Sequence, residues 1–179
     1  MGLFGSPKID SKEFQECLTY FEAQTRVVSF QTREADLYNN VMVKYGRSIT
    51  ESPLAAREAC KAANRLAQSA TEVLKRHQGI KNVPAVASAM HYAWYVTFDA
   101  NKTWASATSK AIEAMAEGMN PNTMYIEQLV GQYQKASRRA EDEDKKLLKW
   151  LKVSREEIES IVARATSIDA TEDDWEPQS

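Results

Sequence analysis

Few residues in this chain of 179 could do covalent or metal chemistry. It has two histidines, His77 and His91, and two cysteines, Cys17 and Cys60. A zinc or iron centre needs Cys, His, Asp or Glu at short recurring spacing, and neither histidine has such a neighbour. No helix carries the Glu-x-x-His pair of a di-iron bundle. Nucleophilic catalysis needs an activated Ser or Cys, yet no Gly-x-Ser-x-Gly turn exists and neither cysteine stands beside a recognisable base. No glycine-rich loop is present to cradle phosphate. His77 falls in the last turn of a predicted helix, where a cation complements the helix dipole. Asp99, Asn101 and Lys102 interrupt an apolar helix and read as a solvated stripe; a buried polar cluster with Tyr92 or Tyr95 is the functional alternative. The expectation is a protein without catalytic residues, bound metal or cofactor, and not an enzyme.

The other chemistry open to these residues is binding. Met1-Gly2-Leu3-Phe4-Gly5-Ser6 fits the N-myristoylation pattern, with Gly after Met and Ser at position six, although Pro7 departs from it. Unmodified, Leu3 and Phe4 form an apolar wedge and Lys8 can reach lipid phosphate. One acyl chain or small wedge binds bilayers only marginally, so a second signal is needed. Basic residues supply candidates. Lys75, Arg76 and Lys81 crowd one helix end; Lys135, Arg138, Arg139, Lys145, Lys146, Lys149, Lys152 and Arg155 crowd the last long helix. Each cation near an anionic leaflet is worth about 1 kcal/mol. Glu141 to Asp144 interleave with the second cluster and offset it. At the other end, Asp173, Asp174 and Trp175 place one aromatic in an acidic segment, a composition suited to docking in a partner's groove.

These residues must be carried by helices. Ala, Glu, Lys, Gln and Leu dominate, with only 6 Gly and 5 Pro. Val83 to Met119 is the central element: Val83, Val86, Met90, Ala93, Thr97, Ala100, Trp104, Ala107, Ala111 and Ala114 recur at helical spacing, and Trp94, Phe98, Ala105, Ile112 and Met119 form a second stripe beside them. A helix apolar on two adjacent faces needs partners on more than one side. Before it, a heptad runs through Phe14, Cys17, Phe21, Gln24, Val28, Gln31, Ala35, Tyr38, Met42 and Tyr45, opened by a capping box at Asp10–Glu13. Gln24 and Gln31 at seam positions read as register-setting. A second helix opens at Ser52-Pro53 and carries the small stripe Ala56, Ala59, Ala63, Leu66, Ala70, Val73. Gly79–Pro84 reads as a turn or strong kink. The last helix starts at Asn120-Pro121, passes through a stretch charged on all sides at Glu141–Lys146, and bends or restarts at Ser154–Glu157.

Composition excludes several classes. Net charge is -2 with 27% charged residues, so no global basic field holds nucleic acid. No run of about 18 apolar residues exists to span a bilayer. No secretory signal is evident, and both cysteines read as small buried apolar residues of a reducing compartment. The expected location is cytoplasmic, at the cytoplasmic face of a membrane.

Two resemblances accompany these residues. The head MGLFGSPK resembles the M-x-L-F-G heads of ESCRT filament subunits, whose Leu-Phe pair enters the bilayer. The body resembles a BAR-type membrane scaffold in layout, with a first helix at Phe14–Tyr45, a long kinked one at Pro53–Gly118 and a third at Pro121–Ile168. That resemblance implies a curved homodimer whose basic residues face lipid; the acidic run at 141–144 departs from an all-basic lipid face. The reading is an all-α bundle of three to four long antiparallel helices over 10–168, coiled-coil-like, with a membrane-binding head at 1–9 and a disordered acidic tail at 169–179. It implies a non-enzymatic peripheral scaffold or adaptor that binds anionic lipid and a protein partner. The alternatives are a soluble helical interaction module, and a helical enzyme or ligand carrier using Tyr92–Asn101.

Overall fold

The computed structural model describes residues 11–169, and they are all-α. Helix α1 spans Lys12–Tyr45, α2 Pro53–Gln78, α3 Ser88–Ala116, α4 Thr123–Leu151 and α5 Arg155–Asp169. Local chemistry sets nearly every boundary. Ser11 caps α1, its Oγ accepting the Phe14 N–H, with Glu13 in the first turn. Ser52 caps α2 in the same way ahead of Pro53. Asn122 caps α4, and Ser154 Oγ accepts the Glu157 N–H at the start of α5. The restart expected at Ser154–Glu157 is therefore a true break.

Two helix ends share one device. After α3, Gly118 takes φ +78° while the Met119 N–H bonds back to Ala114 O and the Gly118 N–H to Met115 O. This is the Schellman arrangement that favours glycine. After α4, Lys152 occupies the same position at φ 56°, with Val153 N–H to Leu148 O. An L side chain in the left-handed region is strained by ~1 kcal/mol. Lys152→Gly is therefore expected to stabilise the protein by about 0.5–1 kcal/mol in urea denaturation, less the entropy glycine adds to the unfolded chain.

Gly79–Pro84 is a turn. α2 and α3 lie antiparallel, paired at His77–His91 and at Asn64–Ser109. The long kinked helix over 53–118 implied by the BAR resemblance is thus two helices. α1 is antiparallel to α2 (Gln24 with His77, Glu34 with Arg65), and α3 to α4 (Trp94 with Asp144, Trp104 stacked on Tyr133). Gln31 Nε2 donates to Tyr133 Oη at 2.9 Å, which closes the ring between α1 and α4. The result is an up-down-up-down four-helix bundle, with α5 packed on the outside of α1.

α3 buries Met90, Ala93, Trp94, Phe98, Ala105 and Ile112, with Phe98, Ala105 and Ile112 packed on α2 and Trp94 reaching Asp144 on α4, while Val83, Val86, Ala100 and Trp104 are half-buried and Met119 is exposed. Phe98 has no exposure, a burial that contributes roughly 2–3 kcal/mol. The alanine face of α2 (Ala55, Ala59, Ala63, Ala70) is consumed inside the chain, where small side chains let α2 approach its neighbours closely. The seam of α1 differs from the heptad in its second half. Val27 and Glu34 are buried, whereas Val28 and Ala35 are half-buried. The stripe swings because α1 turns Glu34 toward α2, where Arg65 grips its carboxylate at 2.7 and 2.9 Å.

Candidate functional site

The bundle encloses a chain of polar groups, buried at Tyr20, Gln24 and His77 and half-buried at His91 and Asp144, to which each of its four helices contributes. His77, from the last turn of α2, has no solvent exposure. Its Nδ1 lies 2.8 Å from Gln24 Oε1 on α1, and its Nε2 lies 3.1 Å from the His91 carbonyl on α3. The ring stacks on His91 at 4.2 Å and meets Phe98 edge-on. His91 Nδ1 in turn lies 3.2 Å from Tyr20 Oη on α1. Asp144, from α4, accepts the Trp94 indole N–H at 2.8 Å, and its charge is near enough to Tyr20 to raise that phenol's pKa further, after burial.

Protonation follows from these contacts. Burial, together with the neighbouring His91, lowers the His77 pKa from 6.5 to about 4, so the ring is neutral at neutral pH. A neutral imidazole donates from one nitrogen only. The His91 carbonyl can only accept, so the proton sits on Nε2 and Nδ1 must accept. Gln24 Nε2 is buried without a partner; turning that carboxamide over presents its NH2 to Nδ1 and satisfies both groups. Burial also raises the Asp144 carboxyl from 3.8 to about 6, against the opposing pull of the Trp94 hydrogen bond.

Two expectations are corrected here. His77 is not a cation at a helix end but a neutral core residue. The stretch Glu141–Lys146 is not solvated all round, because Asp144 turns inward to Trp94 and Glu143 is half-buried. Of the polar trio on α3, Asp99 and Lys102 are exposed as expected, whereas Asn101 is buried. Tyr92 and Tyr95 point outward and join no buried cluster. Gln24 and Gln31 do act as seam residues, each meeting a polar partner on another helix.

This chain of groups has hydrogen-bonding and acid–base capacity but little access. Among the described residues, no group of three or more Cys, His, Asp or Glu could hold a metal ion. Cys17 is buried, with its thiol pushed up to about 11 by burial and then by Glu13 and Glu16, which makes it a poor nucleophile.

The surface carries the binding candidates. Gly2, Leu3, Phe4 and Lys8, and Asp173, Asp174 and Trp175, lie outside the described residues. Lys75 and Lys81 are exposed at the α2 end, while Arg76 bonds Glu72 and lies 4.2 Å over the Phe30 ring. On α4, Lys135, Arg138, Arg139 and Lys149 are exposed, and several line a hollow of about 580 Å³ together with Asp142 and Glu143. Lys145 pairs with Asp142 at 3.5 Å and Lys146 with Glu143 at 2.7 Å. α3 packs on both α2 and α4, the helices that carry the two basic clusters. No helix among the described residues is long and apolar enough to cross a membrane.

No protein family, characterised protein or solved structure matches the chain at a significant level.

Proposed function

We propose that the chain is a non-enzymatic helical scaffold or adaptor that associates peripherally with an anionic membrane surface. The observation that carries this reading is the cationic stripe on α4. Lys135, Arg138, Lys146 and Lys149 recur at intervals that keep them on one side of the helix, with Arg139 beside them and Asp142 between. The stripe is solvent-facing, so its charges can approach head groups without desolvating a core. Asp142 and Glu143 neutralise part of it, which makes the attraction modest and strongly salt-dependent. Gly2, Leu3, Phe4 and Lys8 provide the second anchor in this reading, and the segment around Trp175 recruits the protein partner on the cytoplasmic face.

Liposome co-sedimentation tests the proposal. The full chain is expected to pellet with vesicles containing phosphatidylserine at low salt. It is expected to stay in solution with neutral vesicles or at high salt. Arg138→Glu with Arg139→Glu should abolish pelleting, as should removal of residues 1–8. Equal pelleting with neutral and anionic vesicles, or none at all from myristoylated protein, sinks the membrane reading and leaves a soluble interaction module.

A further inference from the structure

The outer face of α1 is only partly covered. A groove of about 490 Å³ follows one stripe of α1 from Thr25 to Asn40, and α5 contributes only Val162 and Thr166 to it. The direction of α5 explains the shortfall. α4 runs antiparallel to α1, with Tyr133 at Gln31 and Asp144 near Tyr20. The chain reverses at Lys152–Ser154, so α5 runs parallel to α1, and Arg164 reaches Glu22 at 3.0 Å. In that register Asp169, the last residue of α5, comes level with about Val27. The groove continues past this point with no element of the described residues above it, floored by Ser29, Thr32, Arg33, Asp36 and Leu37. Leu37 is 40% exposed there.

We propose that the segment of this same chain that follows Asp169, anchored by Trp175, docks along the uncovered length of α1. Continuity favours this occupant, since the segment departs from the point where the groove loses its cover and α5 is already aimed along it. Reach allows it. Six extended residues, the distance from Asp169 to Trp175, span up to ~20 Å. The helix from Val28 to Asn40 spans ~18 Å. The chemistry fits as well. An indole has a broad apolar body to lay against Leu37 and one N–H donor for the Thr32 hydroxyl or the Asp36 carboxylate beside it. The flanking carboxylates Asp173 and Asp174 come within the neighbourhood of Arg33. Docked in this way, the acidic Trp segment is held back from any other partner.

The test uses the full chain labelled with 5-fluorotryptophan, whose four indoles give four fluorine resonances. Trp175→Phe assigns the one at issue. In the unsubstituted protein without lipid, the Trp175 resonance is expected away from the free-indole position. Leu37→Asp, at an exposed site, is expected to return it to that position while Trp94, Trp104 and Trp150 stay unmoved; Thr32→Glu should do the same independently. A Trp175 resonance at the free-indole position in the unsubstituted chain overturns the proposal. So does a displaced resonance that ignores both substitutions. A displacement lost on dilution places the segment on a second copy and overturns docking within one chain.

Discussion

Asp144→Asn is expected to stabilise the protein by about 1–2 kcal/mol above pH 7 and to leave stability unchanged below the ordinary carboxyl value of 3.8. The folded carboxyl titrates at about 6 against an ordinary value of 3.8, because the bundle removes it from water. Above pH 7 both folded and unfolded forms are ionised, and the folded form bears the whole cost of an ill-solvated charge. As pH falls from about 6 toward 3.8, the folded state takes up its proton first, so this contribution to stability rises. Asparagine keeps an oxygen for the Trp94 N–H and carries no charge. Each pKa unit corresponds to ~1.4 kcal/mol, and the figure expected here is lower because water reaches part of the carboxylate. Urea denaturation at a series of pH values reads the difference directly. An Asn variant no more stable than the parent at pH 7.5 would show that Asp144 is adequately solvated or ion-paired.

His77→Ala is expected to be the more severe change, destabilising by about 3–4 kcal/mol. The substitution empties a site with no solvent exposure, removes the stack on His91 and the edge contact with Phe98, and leaves Gln24 and the His91 carbonyl without partners. Its pH signature has the opposite sign to that of Asp144. The folded ring titrates at about 4 and the unfolded one at 6.5, so the unfolded chain binds the proton first and stability falls as pH drops through that window. The two groups therefore offset each other between about pH 6 and 4, and the parent profile is flatter than either contribution. Asp144→Asn should unmask the loss due to His77. His77→Gln, which preserves much of the volume and a donor, should unmask the gain due to Asp144. Parallel profiles for the parent and both variants would refute this balance.

The architecture was legible in the residues because helix limits are local events. Ser52 and Ser154, both read from the sequence as helix starts, each cap a helix through a bond to a backbone N–H three residues on, and Ser11 and Asn122 do the same one and two residues beyond the Asp10 and Asn120 starts read there. Gly118 and Pro53 act over the same short range. The two apolar stripes of α3 likewise state that it needs two neighbours, whatever those neighbours are. Even the GIKNVP break is half-legible, since Gly79 and Pro84 bracket it. Its outcome as a turn rests on α2 and α3 burying their faces against each other, an energy summed over the whole pair.

The polar chain in the core was not legible, and the reason is distance along the sequence. Gln24 and His77 are 53 residues apart, Tyr20 and His91 71, Trp94 and Asp144 50. A glutamine at a seam position signals that some polar partner exists without naming it. His77 in a helix's last turn has the pattern of a solvated cation, and only the arrival of α1 and α3 over it removes the water and the charge. Asp144 sits among Glu141, Asp142, Glu143, Lys145 and Lys146, where composition alone predicts solvent on every side. Helical phase against α3 then selects one carboxylate from that run and turns it inward to Trp94. Composition and short-range pattern thus determine which segments are helical and which faces are apolar. The protonation states of His77 and Asp144 are decided by packing, because desolvation depends on which distant surfaces close over a group.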